Sequence, residues 1–347
     1  MYIKKILTIT ALLGLVALGI FSYSIYQIIL SPNTSFSNEE QSIYISDQAD
    51  FQTLVDSIAP YLESTEDFIT VAQKKQYPSN MKSGHFILKN GMNNNEIVNT
   101  LRSTNVPINI NFNNQHNLTD LSKRLSEQLM PDQTEILQSL TDSIFLAKNE
   151  VTALQSLAFY IPNTYEFYWN SSAEEIRDRL HQQYLKFWTP ERTKKRKALN
   201  LSPIEISTLA SIVQKETAKV DERTKVAGVY INRLRKGMKL QADPTLIFAL
   251  KQKLNNRDTI IKRVLNKDKL INSPFNTYKY SGLPPAPIAM PDVSSLDAVL
   301  NYEEHDYLYF VADVKNIGYH KFSKTLRQHN RYANEYRNWI NKQKIYR

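Results

Sequence analysis

The chain has 347 residues, of which 42% are hydrophobic and 22% charged, enough for about two domains with real cores. Lys and Arg outnumber Asp and Glu by 43 to 34, a formal charge of +9, which suits an anionic polymer or membrane surface. There is no cysteine, which excludes a disulfide framework and thiolate metal sites.

After Lys4 and Lys5, residues 6–30 contain no charged side chain. About 20 apolar residues cross a bilayer as a helix. A cleaved signal peptide has an apolar core of only about 7–15 residues, whereas here the run continues past Gly19 through Ile20, Phe21, Ile25 and Ile28. It is read as an uncleaved transmembrane anchor. The two lysines then make residues 1–5 a cytoplasmic tail and place the rest of the chain on the far side.

Residues 31–41, polar and aperiodic, read as a linker. Residues 42–113 read as a small α/β module. The strand-like "SIYIS" is followed by a helix with Phe51, Leu54, Val55 and Ile58 at helical spacing. A second helix starts at the N-cap Ser64 with Glu66 and Asp67 in its first turn. Then come a strand, a Gly turn, a helix carrying Ile97, Val98 and Leu101, and the closing strand "VPININF". This order resembles the LysM-like subdomain of certain cell-wall enzymes; a plain spacer module would give the same pattern.

Helical patterns dominate residues 117–148. The aromatic segment "LAFYIPNTYEFYW" then precedes another helix, its rings suited to a core or to stacking on sugar faces. The basic run "RTKKRK" at 192–197 reads as a solvated loop, since no nucleic-acid motif accompanies it.

Ser202, Pro203 and Glu205 form a capping box with proline at the first helical position. Leu209, Ile212 and Val213 define the buried stripe of the helix they open. Glu216 falls on that stripe. Three readings of it stand: an acid at the exposed rim of a helix ending near Thr217, a structural ion pair with Arg223 or Arg233, or a carboxyl held in a dry pocket. In the third, burial raises its pKa and makes a general acid at neutral pH.

The next helix turns Val226, Val229, Tyr230 and Leu234 inward and stops at Gly237. "MKLQ" is strand-like, and Asp243 with Pro244 opens another helix. "SPFNTYKYSGLPPAPIAMP" has five prolines in nineteen residues, a rigid irregular loop. "YLYFVAD" and "GYHKFS" alternate like paired strands, with His320 near a strand end, and "TLRQHNRYANEYRNWINKQ" is a helix. No metal-ligand spacing, phosphate loop or nucleophile elbow occurs.

Taken in order, "LASIVQKETAKVDERTKVAGVYINRLRKGMKLQADPT", "FNTYKYSGLPPAPIAMP", "YLYFVAD" and "HKFSKTLRQHN" resemble the YceG-like endolytic murein transglycosylases. The likeness covers most of residues 150–332. It implies an α+β catalytic domain at 114–347 behind the anchor and the LysM-like module. The implied enzyme is a lyase of cell-wall biogenesis on the outer face of the inner membrane, cutting nascent peptidoglycan strands non-hydrolytically. It implies no cofactor, no metal and no nucleic acid. The implied partners are glycan strands, the membrane and peptidoglycan synthases.

The motif glutamate of the family corresponds to Glu216, and Gln241, Asp243, Asn276, Tyr278 and His320 fall at positions that would orient glycan; plainer readings stay open, Asp243 as a helix cap, Tyr278 as core and Asn276 as the holder of a turn. Arg223 and Asn232 are expected to fix helix against helix. Two departures stand out: Gln214 where many relatives carry a second Glu, and Asn163 where an Asp is common. The rival functions are a non-catalytic wall-binding scaffold and a hydrolytic muramidase. The muramidase needs a second placed carboxylate, and Asp221 and Glu222, the nearest in sequence, sit in a helix–helix turn.

Overall fold

The computed structural model describes residues 2–103, 105–254, 259–261 and 264–342. The chain is mixed α+β and divides into two units, one formed by residues 1–110, 128–131 and 165–172, the other by residues 111–127, 132–164 and 173–347.

The first unit opens with helix α1 (Tyr2–Leu30), which contributes no buried residue. Thr8 and Ser24 donate their hydroxyls inside the helix, to the carbonyls of Lys4 and Ile20. An apolar helix of 29 residues, exposed on every side over residues 2–27, is suited to lipid rather than water, and it is a candidate single-pass anchor. At its C-terminal end Asn94 Nδ2 donates to the Ile28 carbonyl at 2.8 Å, and Ile28 and Ile29 pack on the core of the unit.

Residues 31–41 are not a free linker. Asn33 and Thr34 are buried. The Asn33 amide donates to the Ser64 carbonyl at 2.8 Å and to Asn94 Oδ1 at 2.6 Å, and accepts from Ser64 N at 2.7 Å. A polar, aperiodic segment is drawn inside because its side chains satisfy the backbone groups they meet.

Strand β1 (Glu40–Ile45) leads to α2 (Phe51–Ile58) and α3 (Thr65–Lys74), with Asp50 and Ser64 as N-caps. Strand β2 (Gly84–Lys89) pairs antiparallel with β1, Ile43 opposite Phe86. Helix α4 (Asn94–Arg102) starts at a capping box of Asn93 and Glu96. Leu54, Ile58, Phe68, Phe86, Ile97 and Leu101 close the core. The division between the units then passes through β3 (Ile108–Phe112).

In the second unit α5 (Leu118–Ser126), α6 (Gln133–Leu140) and α7 (Ser143–Lys148) follow. The chain returns through β4 (Asn163–Phe167), which pairs with β3, to α8 (Ala173–Phe187). The basic run at 192–197 is not a loop but lies in α9 (Pro190–Leu199). That helix buries nothing, yet it is held by the Thr189 cap, Pro190 at its first position and a left-handed Asn200 at its end. Arg192 also reaches Asp297 through two 2.9 Å bonds.

Helix α10 (Pro203–Glu216) has the expected capping box. Its burial is wider than a stripe, since every residue from Ile206 to Val213 is buried. It packs against α11 (Arg223–Arg235), α12 (Asp243–Leu254) and α13 (Val293–Leu300). On α11, Leu234 is only half-buried while Arg233 is fully inside. "MKLQ" forms no strand: Gly237 turns the chain at φ 64° and Gln241 takes φ 51°, backbone that cannot join a ladder. Strands β5 (Tyr309–Ala312) and β6 (His320–Ser323) pair antiparallel, Ala312 opposite His320. Helix α14 (Leu326–Lys342) ends the described chain; Gln343, the last residue of the expected helix, lies outside the described residues.

Candidate active site

Glu216 is the last residue of α10, and Thr217 leaves the helix in extended conformation. The acid is half-buried there and makes no ion pair with Arg223 or Arg233. Its Oε1 accepts from the Tyr230 hydroxyl at 2.6 Å. Oε2 has no protein partner among the described residues. Burial pushes the Glu216 carboxyl up to about 7. The Tyr230 bond opposes that rise, the charge of Asp243 adds to it, and those of His320 and Arg233 oppose it. The phenol of Tyr230 is raised well above its usual range by burial and then by the neighbouring carboxylate, so it stays a donor.

Both arginines are spent elsewhere. Arg223 Nη1 donates to both oxygens of Asp292 at 2.9 Å and to Ser294 Oγ at 2.6 Å. Arg233 donates to the carbonyls of Leu308 at 2.6 Å and Leu240 at 2.5 Å. Asn232 bonds the carbonyls of His305 and Tyr307, so it fixes α11 to a loop rather than to a helix. Gln214 also faces inward, accepting from Asp292 N at 2.6 Å and Ser295 Oγ at 3.2 Å. A glutamine suits that place because it presents an acceptor without burying a charge.

Asp243 opens α12 and accepts from the Tyr278 hydroxyl at 2.5 Å. Burial, and then the charge of Asp243, hold the Tyr278 phenol far above its usual range. The two segments are stitched below them: Gln241 N donates to the Thr277 carbonyl at 3.1 Å, Ala242 N to Thr277 Oγ1 at 3.0 Å, and the hydroxyls of Thr245 and Thr277 bond at 2.8 Å. Gln241 itself is exposed, held in left-handed backbone, a strained state that clusters at functional sites.

Asn276 is a correction to the expected glycan contacts. It is fully buried. Its amide donates to the carbonyls of Lys269 and Ile271, and its Oδ1 accepts from Tyr278 N at 3.0 Å. It holds the loop that presents Tyr278 and has no donor left for a ligand.

His320 starts β6. Its Nδ1 lies 2.7 Å from Glu222 Oε2, and its backbone N donates to Glu222 Oε1, also at 2.7 Å. Glu222 is buried. Set aside in sequence as a turn residue, it is the group that fixes the imidazole, through Nδ1. Glu216, Asp243, Tyr278 and His320 thus share one electrostatic neighbourhood. Tyr230, Glu222 and Thr277 were missed as contributors. For Tyr230 the inward helical spacing was legible; for the other two no local signal existed.

A family model described as YceG-like matches residues 43–335. The chain belongs to the YceG-like family. Curated relatives of this YceG-like chain include the endolytic murein transglycosylase of Bacillus subtilis, 31% identical over 280 residues, 74% of each chain. The protein of that name from Streptococcus pneumoniae is 32% identical over 206 residues, 52% of this chain and 37% of the relative. A crystal structure of a yceG-like protein of Listeria monocytogenes is similar at 27% identity and a TM-score of 0.56, covering 85% of this chain and 99% of that one.

Proposed function

We propose that the chain is a membrane-anchored endolytic lytic transglycosylase of peptidoglycan, with Glu216 as its proton donor and then proton acceptor. The observation that carries this is the Glu216 carboxyl at the end of α10, with one oxygen bonded by Tyr230 and the other left to carry a proton, where burial pushes its pKa up to about 7. The names of the relatives in Bacillus subtilis and Streptococcus pneumoniae support the same reaction.

Protonated Glu216 gives its proton to the oxygen bridging N-acetylmuramic acid and N-acetylglucosamine. As the C–O bond breaks, oxocarbenium-like charge develops at C1 of the muramoyl sugar. The sugar's own acetamido group relieves it, and the C6 hydroxyl then closes on C1. Glu216, now a carboxylate steadied by Tyr230, takes the proton of that hydroxyl. No water is consumed, and the product end is a 1,6-anhydro sugar. Asp243, Tyr278, Gln241 and His320 orient the glycan, with His320 presenting Nε2 because Glu222 holds Nδ1. Strand elongation ends at the cut.

Lys4 and Lys5 before α1 support an N-terminus in the cytoplasm and a catalytic unit outside it. In the first unit, the β1–α2–α3–β2 order with antiparallel pairing supports a LysM-like module that meets glycan. Contact with peptidoglycan synthases would follow from cutting nascent strands.

One observation favours a second reading. The charge of Asp243 bears on Glu216, and hydrolytic glycosidases use a pair of carboxylates. Digesting purified glycan strands and weighing the new ends separates the two: an anhydro end is one water lighter than a reducing end. Reducing ends alone would replace the lyase by a muramidase, and uncut strands would leave a wall-binding scaffold.

A further inference from the structure

The loop that presents Tyr278 also presents a second tyrosine. Asn276, buried at its base, accepts from Tyr278 N through its side chain and from Lys279 N and Tyr280 N through its carbonyl, each at 3.0 Å. One residue thus fixes both rings. Tyr278 bonds Asp243. Tyr280, its Cα at most about 7 Å from that of Tyr278, lines a separate groove of about 430 Å³, within the size range of ligand sites.

The groove is apolar at Pro274, Leu283 and Pro285 and polar at Asn272 and Ser273, and no ionised side chain lines it. Its prolines restrict how far the walls can move. The Tyr280 ring is pinned: its hydroxyl donates to Asn272 Oδ1 at 2.7 Å, and Lys279 donates to the same oxygen at 2.9 Å. The ring is nonetheless 43% exposed. Asn272 uses only its oxygen in these bonds, which leaves its amide nitrogen as a donor. A rigid aromatic surface with an amide and a hydroxyl beside it matches a sugar ring, whose C–H face stacks and whose rim bonds. The neutral lining offers an acidic ligand no counter-charge, so it suits N-acetylglucosamine better than a muramoyl residue with its lactyl carboxyl.

We infer that the Tyr280 groove is a distal subsite for an N-acetylglucosamine ring of the strand being cut, outside the two sugars of the broken linkage. This rests on the reading of the chain as a murein transglycosylase. Tyr280 takes the face of the sugar, Asn272 and Ser273 take its hydroxyls, and Asn276 sets the spacing between the subsite and the scissile bond. Strands long enough to reach the groove are then cut with a higher kcat/KM than short ones.

The test uses the full chain in detergent micelles with two substrates: long glycan strands and the shortest oligosaccharide it cuts. Tyr280→Ala is expected to lower the ratio of kcat/KM, long over short, by about tenfold, chiefly through KM. Tyr280→Phe loses the bond to Asn272 but keeps the ring, and should keep most of the ratio. An unchanged ratio, equal loss on both substrates, or a Phe variant as poor as the Ala variant would overturn the proposal. The last result would mean that the hydroxyl merely holds the loop. Calorimetry of long strands on the Glu216→Gln chain needs no cleavage. Binding weakened about tenfold by adding Tyr280→Ala supports the subsite, and unaltered binding overturns it. Should the strands bind through Tyr280 while the parent chain cuts none of them, the proton-donor reading falls and the subsite stands.

Discussion

Two acidic corners of the second unit, Glu216 at the end of α10 and Asp292 at the start of α13, have opposite fates. Burial pushes Asp292 up as well, but bonds from Arg223, Ser295 and Ser294 outweigh it and hold the acid below the usual carboxylate range. Glu216 is bonded only by a phenol among the described residues, and burial outweighs that bond and the charges of His320 and Arg233. A buried carboxylate given a guanidinium becomes architecture; one denied it keeps a proton that can be moved at neutral pH.

The largest effect expected from breaking the contrast is at Glu216. Glu216→Gln keeps the shape and the Tyr230 contact but has no proton to give, and kcat should fall by about 10²–10⁴-fold. Its stability should move the other way. A carboxyl whose folded pKa is raised stabilises the fold fully below its unfolded value and loses that contribution as pH rises through about 7. Melting scans should therefore show the Gln variant equal to the parent chain near pH 4 and more stable at pH 8. Undiminished anhydro product would remove Glu216 from the reaction.

At the other corner, Arg223→Leu strips Asp292 of its partner. Chemical denaturation should register a loss of about 3 kcal/mol, the lower end for a broken buried pair because Asp292 is partly exposed. The contribution of Asp292 is present above its unfolded pKa and is lost as pH falls through its lowered folded value. In the variant that acid sensitivity should shrink. A variant as stable as the parent chain would mean that the ion pair contributes nothing.

How much of this was legible depends on range. The opening of α10 was readable because Ser202 and Glu205 bond each other's backbone three residues apart. Ser202→Ala should accordingly cost about 1 kcal/mol in melting experiments and leave the activity profile with pH untouched. The strands around His320, the Pro-rich loop and the inward side of Glu216 were readable from periodicity and proline chemistry. The rest was not. Glu222 meets His320 across 98 residues and Tyr278 meets Asp243 across 35, and no spacing rule encodes such pairs. Asn33, on a segment that looks like a linker, is buried because its amide finds Ser64 and Asn94, 31 and 61 residues away. The helix α9 escaped for a different reason: it has no apolar face, and only its caps mark it.

The finest test of the two-corner contrast uses the neighbours of Glu216, which tune its proton without carrying it. The Tyr230 bond lowers the acid's pKa and the Asp243 charge raises it. Activity that needs the protonated form should fall as pH rises through about 7. Tyr230→Phe should then move that limb to higher pH, and Asp243→Asn should move it lower, each by a fraction of a pH unit in kcat/KM profiles. Both variants also lose activity, Tyr230→Phe because the carboxylate formed on proton transfer loses its donor and Asp243→Asn because Tyr278 loses a charged acceptor. Loss of rate alone would fit mere disruption; opposite displacement of one limb would not. Were both limbs to move the same way, or neither, the protonation of Glu216 would not be what the profile reports, and the second carboxylate would have to be given a part in the chemistry.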